Sequence, residues 1–153
     1  MKLRCLRCQR EWPLDPTRWR CSCGGVLEIL GGPSFDAAQL DADAYTLWRY
    51  RDALPLPDGT VPVSLGEGWT PLVDALWSGR PVRFKSESLN PTGSFKDRGA
   101  ALLVTALKAA DVDSVVEDSS GNAGAALSAY AARAGLAATV FVPAHASPVK
   151  QAQ

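Results

Sequence analysis

Asn90-Pro91-Thr92-Gly93-Ser94-Phe95-Lys96-Asp97-Arg98-Gly99 passes from a turn into a helix. Asn-Pro and Thr-Gly are turn signals, so the first half is a loop. Ser94 stands where an N-cap belongs. Beyond it Phe95, Gly99, Leu102, Leu103, Ala106 and Ala110 recur at helical spacing. Lys96 therefore falls in the first turn. A cation is out of place there, because the helix dipole puts positive partial charge at that end. An enzyme uses such a position for a lysine that must react as a neutral amine and form a Schiff base. The alternative is a plain solvated lysine.

The pattern on either side predicts an α/β layer. Pro81–Glu87 alternates, with Val82 and Phe84 opposite Arg83 and Lys85, so it reads as a strand leading into the lysine helix. That helix ends near Ala110. Ser114–Asp118 is a second strand, Ala123–Ala134 a second helix stopped by Gly135, and Ala137–Val142 a third strand closed by Pro143. Strand, helix, strand, helix, strand implies an open, mostly parallel sheet with flanking helices. Ser119-Ser120-Gly121-Asn122 then lies between a strand's carboxyl end and a helix's N-terminus. Anionic ligands bind there in open α/β sheets, on unpaired backbone N–H groups. The competing reading is an ordinary Ser/Asn helix cap.

The wording of these segments resembles the threonine synthases, among the tryptophan-synthase-β-like, fold-type II pyridoxal-phosphate enzymes. Ser94–Gly99 matches that family's lysine motif without a gap, and the lead-in from Asn90 matches too. Ser64–Leu72 resembles its "LGEG-x-TPL" segment, and Ser119–Asn122 with the following Ala-Gly-Ala-Ala resembles its substrate-carboxylate loop. The resemblance implies that Lys96 carries pyridoxal 5'-phosphate. Ser119, Ser120, Gly121 and Asn122 would hold the carboxylate of a small amino-acid substrate. Asn122 would also face the cofactor's phenolic oxygen. Arg98 and Lys85 are candidate charges for a phosphate. The implied reaction replaces the γ-phosphate of O-phosphohomoserine with water, giving threonine. A threonine/serine dehydratase or a related β-replacement enzyme shares the lysine and Ser-x-Gly-Asn features. A non-catalytic zinc-binding fragment is the alternative outside enzymes.

Ahead of this part, Cys5-x2-Cys8 and Cys21-x-Cys23 read as a zinc ribbon over residues 1–30, with four thiolates for one structural Zn²⁺. Gly24-Gly25 permits a tight knuckle after the second pair; Gln9 stands at the corresponding place after the first. Residues 1–30 hold six basic and three acidic side chains, and the surplus can offset the minus-two charge of a zinc tetrathiolate. Residues 31–62 read as a linker with a short helix, Ala44–Ala53, capped by Asp43. Tyr45 and Trp48 would share one of its faces. Residues 63–153 read as the N-terminal part of the catalytic domain.

Composition narrows the partners. Sixteen basic and sixteen acidic residues give zero net charge, against a nucleic-acid or membrane-surface role. No signal-peptide run opens the chain, so a cytoplasmic location is expected. A homo-oligomer is compatible with the resemblance. His145, alone in a loop, is assigned no chemistry. No spare glycine-rich phosphate loop remains once these segments are assigned. Ser147-Pro148 starts a helix with only five residues after it. The 153-residue chain is therefore expected to be a fragment that binds the cofactor weakly or not at all and turns over nothing alone.

Overall fold

A computed structural model describes residues 1–153. Its first thirty residues form a three-stranded antiparallel sheet of β1 (Lys2–Cys5), β2 (Glu11–Pro13) and β3 (Leu27–Leu30), in the order β2-β1-β3. Leu3 and Cys5 point inward from β1 while Lys2 and Arg4 point out, the period-two alternation of a half-buried strand. The outward cations pair with neighbouring strands: Lys2 with Glu11 at 3.1 Å and Arg4 with Glu28 at 2.6 Å.

Between the ribbon and the rest runs a segment with little regular structure. The short helix is 3₁₀ rather than α, spans Leu47–Ala53, and is capped by Thr46, whose Oγ1 accepts the Trp48 N–H. Asp43 does not cap it. Its own N–H is taken by Asp41 Oδ1 in a local turn at 3.0 Å. Tyr45 and Trp48 part company: Trp48 is buried, while Tyr45 is exposed and meets Trp69 edge-on. Tyr45 lies ahead of the helix, so helical spacing does not govern it.

The strand expected to lead into the lysine helix is paired differently. β5 (Arg80–Lys85) forms an antiparallel hairpin with β4 (Leu72–Trp77), from Leu72↔Lys85 to Trp77↔Arg80. β4 begins at Leu72, the last residue of the Leu-Gly-Glu-Gly segment, and the sequence reading made no assignment for the rest of it. Ser78-Gly79, both at positive φ, make the two-residue turn that fixes this register. The parallel sheet is the separate pair β6 (Ser114–Asp118) and β7 (Ala137–Phe141), joined through α2 (Asn122–Ala134). The layer is thus mixed α/β in small sheets, and β5 is not a member of the parallel one.

α1 (Lys96–Ala109) lies against α2, and the two helices enclose most of the core. Ala101, Val104, Ala126, Tyr130 and Ala131 are all at or near zero exposure. The small residues let the helices approach closely. Gly124 does the same between α2 and the sheet: a Cβ there would meet Val140 Cγ1 at 2.8 Å and Ser119 Cβ at 3.1 Å. α3 (Pro148–Ala152) follows, with Ser147 as its N-cap. No helix is long and apolar enough to cross a membrane.

Candidate active site and metal centre

Phe95 is already helical where α1 begins, and Ser94 Oγ accepts the Lys96 N–H at 3.3 Å. The cap expected at Ser94 therefore acts one residue ahead of the helix boundary. The Lys96 side chain is exposed and lies 5.2 Å from the Phe95 ring centroid; its amine joins no ion pair. Its neighbour Asp97 is wholly buried and clamps the preceding turn. It accepts the Thr92 N–H at 2.8 Å and the Thr92 hydroxyl.

Asp97 belongs to a buried polar network that sequence reading did not find. Glu67, from the Leu-Gly-Glu-Gly loop, has no exposed surface. Four donors reach its carboxylate: Trp48 Nε1 at 2.7 Å, Tyr130 OH and Leu65 N at 2.9 Å, and Ser64 Oγ at 3.1 Å. A buried carboxylate costs several kcal/mol without such partners. Burial and the Glu67 carboxylate push the Tyr130 hydroxyl far above its ordinary pKa, so it stays a donor. The same hydroxyl lies 3.4 Å from Asp97 Oδ2. One side chain of α2 thereby ties the glycine loop to the lysine helix. The available signal was a carboxylate between two glycines, which periodicity cannot place inside.

The hypothesised phosphate charges are engaged elsewhere. Arg98 grips Glu87 with two prongs, Nε–Oε2 and Nη2–Oε1, both at 2.8 Å. Lys85 Nζ donates to the Thr70 carbonyl. The Arg98 hydrogen bonds, outweighing burial and helped by Thr70 and Asn90, hold the Glu87 carboxyl down at about 2. A depressed carboxylate contributes stability above its unfolded pKa and loses it as pH falls through the folded one. Glu87→Gln should therefore cost on the order of 2 kcal/mol at pH 7, after a discount for partial exposure. It should also flatten the stability profile between roughly pH 4.5 and 2. Urea melts across that range check both; parallel wild-type and variant profiles would contradict the assignment.

At the carboxyl end of β6, Ser119 Oγ accepts the N–H groups of Gly121 at 3.3 Å and Gly124 at 2.9 Å. The N–H groups of Ser120, Asn122 and Ala123 have no partner in the chain, and the Asn122 amide is exposed and free. The structure brings this loop to the same end of the molecule as the turn before Lys96. Lys150 of α3 lies over Gly121, where a Cβ would meet its Cδ at 3.4 Å, and Gln153 Nε2 donates to the Thr92 carbonyl at 3.4 Å. Two side chains three residues apart touch both loops. His145 is exposed in the loop ahead of α3.

The four cysteines form one cluster, every sulfur within 4.8 Å of the others. Cys5–Cys23 and Cys8–Cys21 are both 3.6 Å apart. A tetrahedral zinc with Zn–S bonds of about 2.3 Å would set its sulfurs about 3.8 Å apart, so the donor set fits. Backbone N–H groups of Arg7 and Cys8 aim at Cys5 Sγ, and that of Cys23 at Cys21 Sγ. The Cys8 N–H lowers the Cys5 pKa, and the Cys23 N–H draws Cys21 down to about 6. Cys23 goes up to about 11: the Gly25 N–H favours its thiolate, but the crowding sulfurs and burial outweigh it. That crowding is what a dication would relieve. Gly25 presses on the cluster, since a Cβ would meet Cys5 Sγ at 2.6 Å. Gln9, standing in for a knuckle glycine, adopts the left-handed conformation itself at φ 59°.

The chain is similar to known proteins over most of its length. Residues 63–153 match the family model described as "Pyridoxal-phosphate dependent enzyme". The threonine synthase of Methanocaldococcus jannaschii is 36% identical over 153 residues, covering 94% of this chain and 38% of that protein. The Mycobacterium bovis threonine synthase is 47% identical over 98 residues, 61% of this chain and 27% of that protein. That of Synechocystis is 47% identical over 107 residues, 63% and 28%. The chain thus spans well under half the length of these relatives.

Proposed function

We propose that this chain, which belongs to the pyridoxal-phosphate-dependent enzyme family, supplies the lysine-bearing part of a threonine synthase. The observation that carries the reading is the pairing of an unengaged Lys96 amine with three unengaged N–H groups at the start of α2, at one end of the molecule. Residues 63–153 would be the N-terminal part of the catalytic domain, and β6–α2–β7 one unit of its larger open parallel sheet. Residues 1–30 are the ribbon, and 31–62 the linker.

Pyridoxal phosphate, when bound, supplies an electron sink for bonds broken at the substrate's Cα. Lys96 would hold it, and the Lys96 amine would carry protons at the substrate's Cα and Cβ. The N–H groups of Ser120 and Asn122 suit a substrate carboxylate, because a helix N-terminus offers both donors and positive potential. Ser119 holds the loop in shape through its bonds to Gly121 and Gly124. Gly121 lets a ligand approach the backbone, and the Asn122 amide can donate to the cofactor's phenolic oxygen. Asp97 and Glu67 position the two approach loops and stay clear of the chemistry, being buried and fully bonded. Cys5, Cys8, Cys21 and Cys23 hold one structural Zn²⁺. Arg7, bonded to the Cys23 carbonyl at 3.1 Å, and Arg10, bonded to Ser22 Oγ at 3.2 Å, sit over its second knuckle and offset its negative charge.

Protein expressed from the native gene and supplied with pyridoxal phosphate should release phosphate from O-phosphohomoserine and form threonine. Ammonia from threonine or serine, with no phosphate from O-phosphohomoserine, would assign a dehydratase instead.

A further inference from the structure

Between the ribbon and α1 lies a cleft of about 400 Å³, within the size range of small-molecule sites. Its walls are apolar, with Leu3 and Ile29 from the ribbon facing Leu102 and Ala106 of α1. Gly99 adds room, since a Cβ there would meet nothing within 4 Å. Two charged residues also line it, Asp15 and Arg18, and they are not joined in an ion pair. Asp15 spends Oδ1 on the Thr17 N–H at 2.8 Å and the Thr17 hydroxyl at 2.6 Å, and leaves Oδ2 without a partner. Arg18 rests its guanidinium 5.0 Å from the Trp12 ring centroid, which uses its face. None of its edge N–H groups has an acceptor in the chain.

We propose that this cleft binds a free α-amino acid with a large apolar side chain, its ammonium on Asp15 and its carboxylate on Arg18. Charge complementarity selects that occupant. A simple anion would meet Asp15, and a simple cation would meet Arg18, each at a repulsive cost. A zwitterion satisfies both and adds no net charge to an apolar cleft. A planar guanidinium grips a carboxylate through two parallel N–H bonds, and its stacking on Trp12 presets the orientation. The cleft's volume suits an aromatic or long aliphatic side chain. Its two charged residues come from the ribbon and are distinct from Lys96 and the Ser119–Asn122 loop. A ligand there touches Gly99 and Leu102, on the helix that begins at Lys96, and so would couple its concentration to the placement of that helix.

The test is calorimetric titration of L-phenylalanine, L-tryptophan and L-leucine into the zinc-loaded chain. At least one should bind saturably with one site per chain. N-acetyl-L-phenylalanine amide, which lacks both charges, should bind about tenfold or more weakly, a loss of about 1.4 kcal/mol. Asp15→Asn keeps the acceptor for Thr17 and should weaken binding by a similar factor. Ala106→Phe fills the cleft and should abolish it; if that variant misfolds, Asp15→Asn decides. No saturable binding by any of the three, or binding that Asp15→Asn leaves unchanged, overturns the proposal.

Discussion

On the proposed reading one side chain is both cofactor anchor and proton carrier, so in the protein expressed from the native gene Lys96→Ala should eliminate phosphate release from O-phosphohomoserine, a loss of at least about 10³-fold. The fold should survive. The Lys96 side chain is exposed and joins no ion pair or hydrogen bond, and the cap bond to Ser94 uses its backbone. Circular dichroism of the variant should therefore overlay on wild type while the yellow of bound cofactor disappears. Borohydride reduction of the loaded wild-type protein, followed by peptide mapping, should place the pyridoxyl adduct on Lys96. Lys85 and Lys108 are the informative alternatives. Lys85 is tethered to the Thr70 carbonyl, and Lys108 sits in the last turn of α1, away from the Ser119–Asn122 loop. An adduct on either would refute the assignment.

Cys21→Ser should empty the metal centre. Protein purified without added metal should carry about one zinc per chain, and the variant close to none. A structural zinc contributes about 10–16 kcal/mol to the fold of a small module, far more than the short strands β1–β3 could replace. Residues 1–30 should then lose amide protection against hydrogen exchange. α1 and α2 should keep theirs, because the main core runs from Leu47 to Leu136 and includes no ribbon residue. Falling pH should release the metal from wild type, since each ligand must be a thiolate. Zinc-free wild-type protein with an ordered ribbon would rule the centre out.

The elements that were legible in the sequence are those whose cause is local. α2 carries its own stop in Gly135, and α3 its own start in Ser147-Pro148. The lysine motif announces its turn and helix within ten residues. The two cysteine pairs announce, by chemistry and spacing alone, the four-sulfur cluster that the fold assembles. Partnership between distant segments is another matter. The alternation in Pro81–Glu87 shows a strand and says nothing of its neighbour, so the hairpin with β4 emerged only when the Ser78-Gly79 turn brought Leu72 opposite Lys85. Arg98 read as a free cation until Glu87, eleven residues upstream, was seen to bind both its prongs. Nothing local to Glu67, between two glycines, or to Asp97, in the first turn of α1, marks either carboxylate as buried. They are buried because Tyr130, Trp48 and Thr92 reach them from three other segments. Whether a charge is solvated or satisfied inside depends on which donors the fold delivers to it, and that information is carried by no single stretch of the chain.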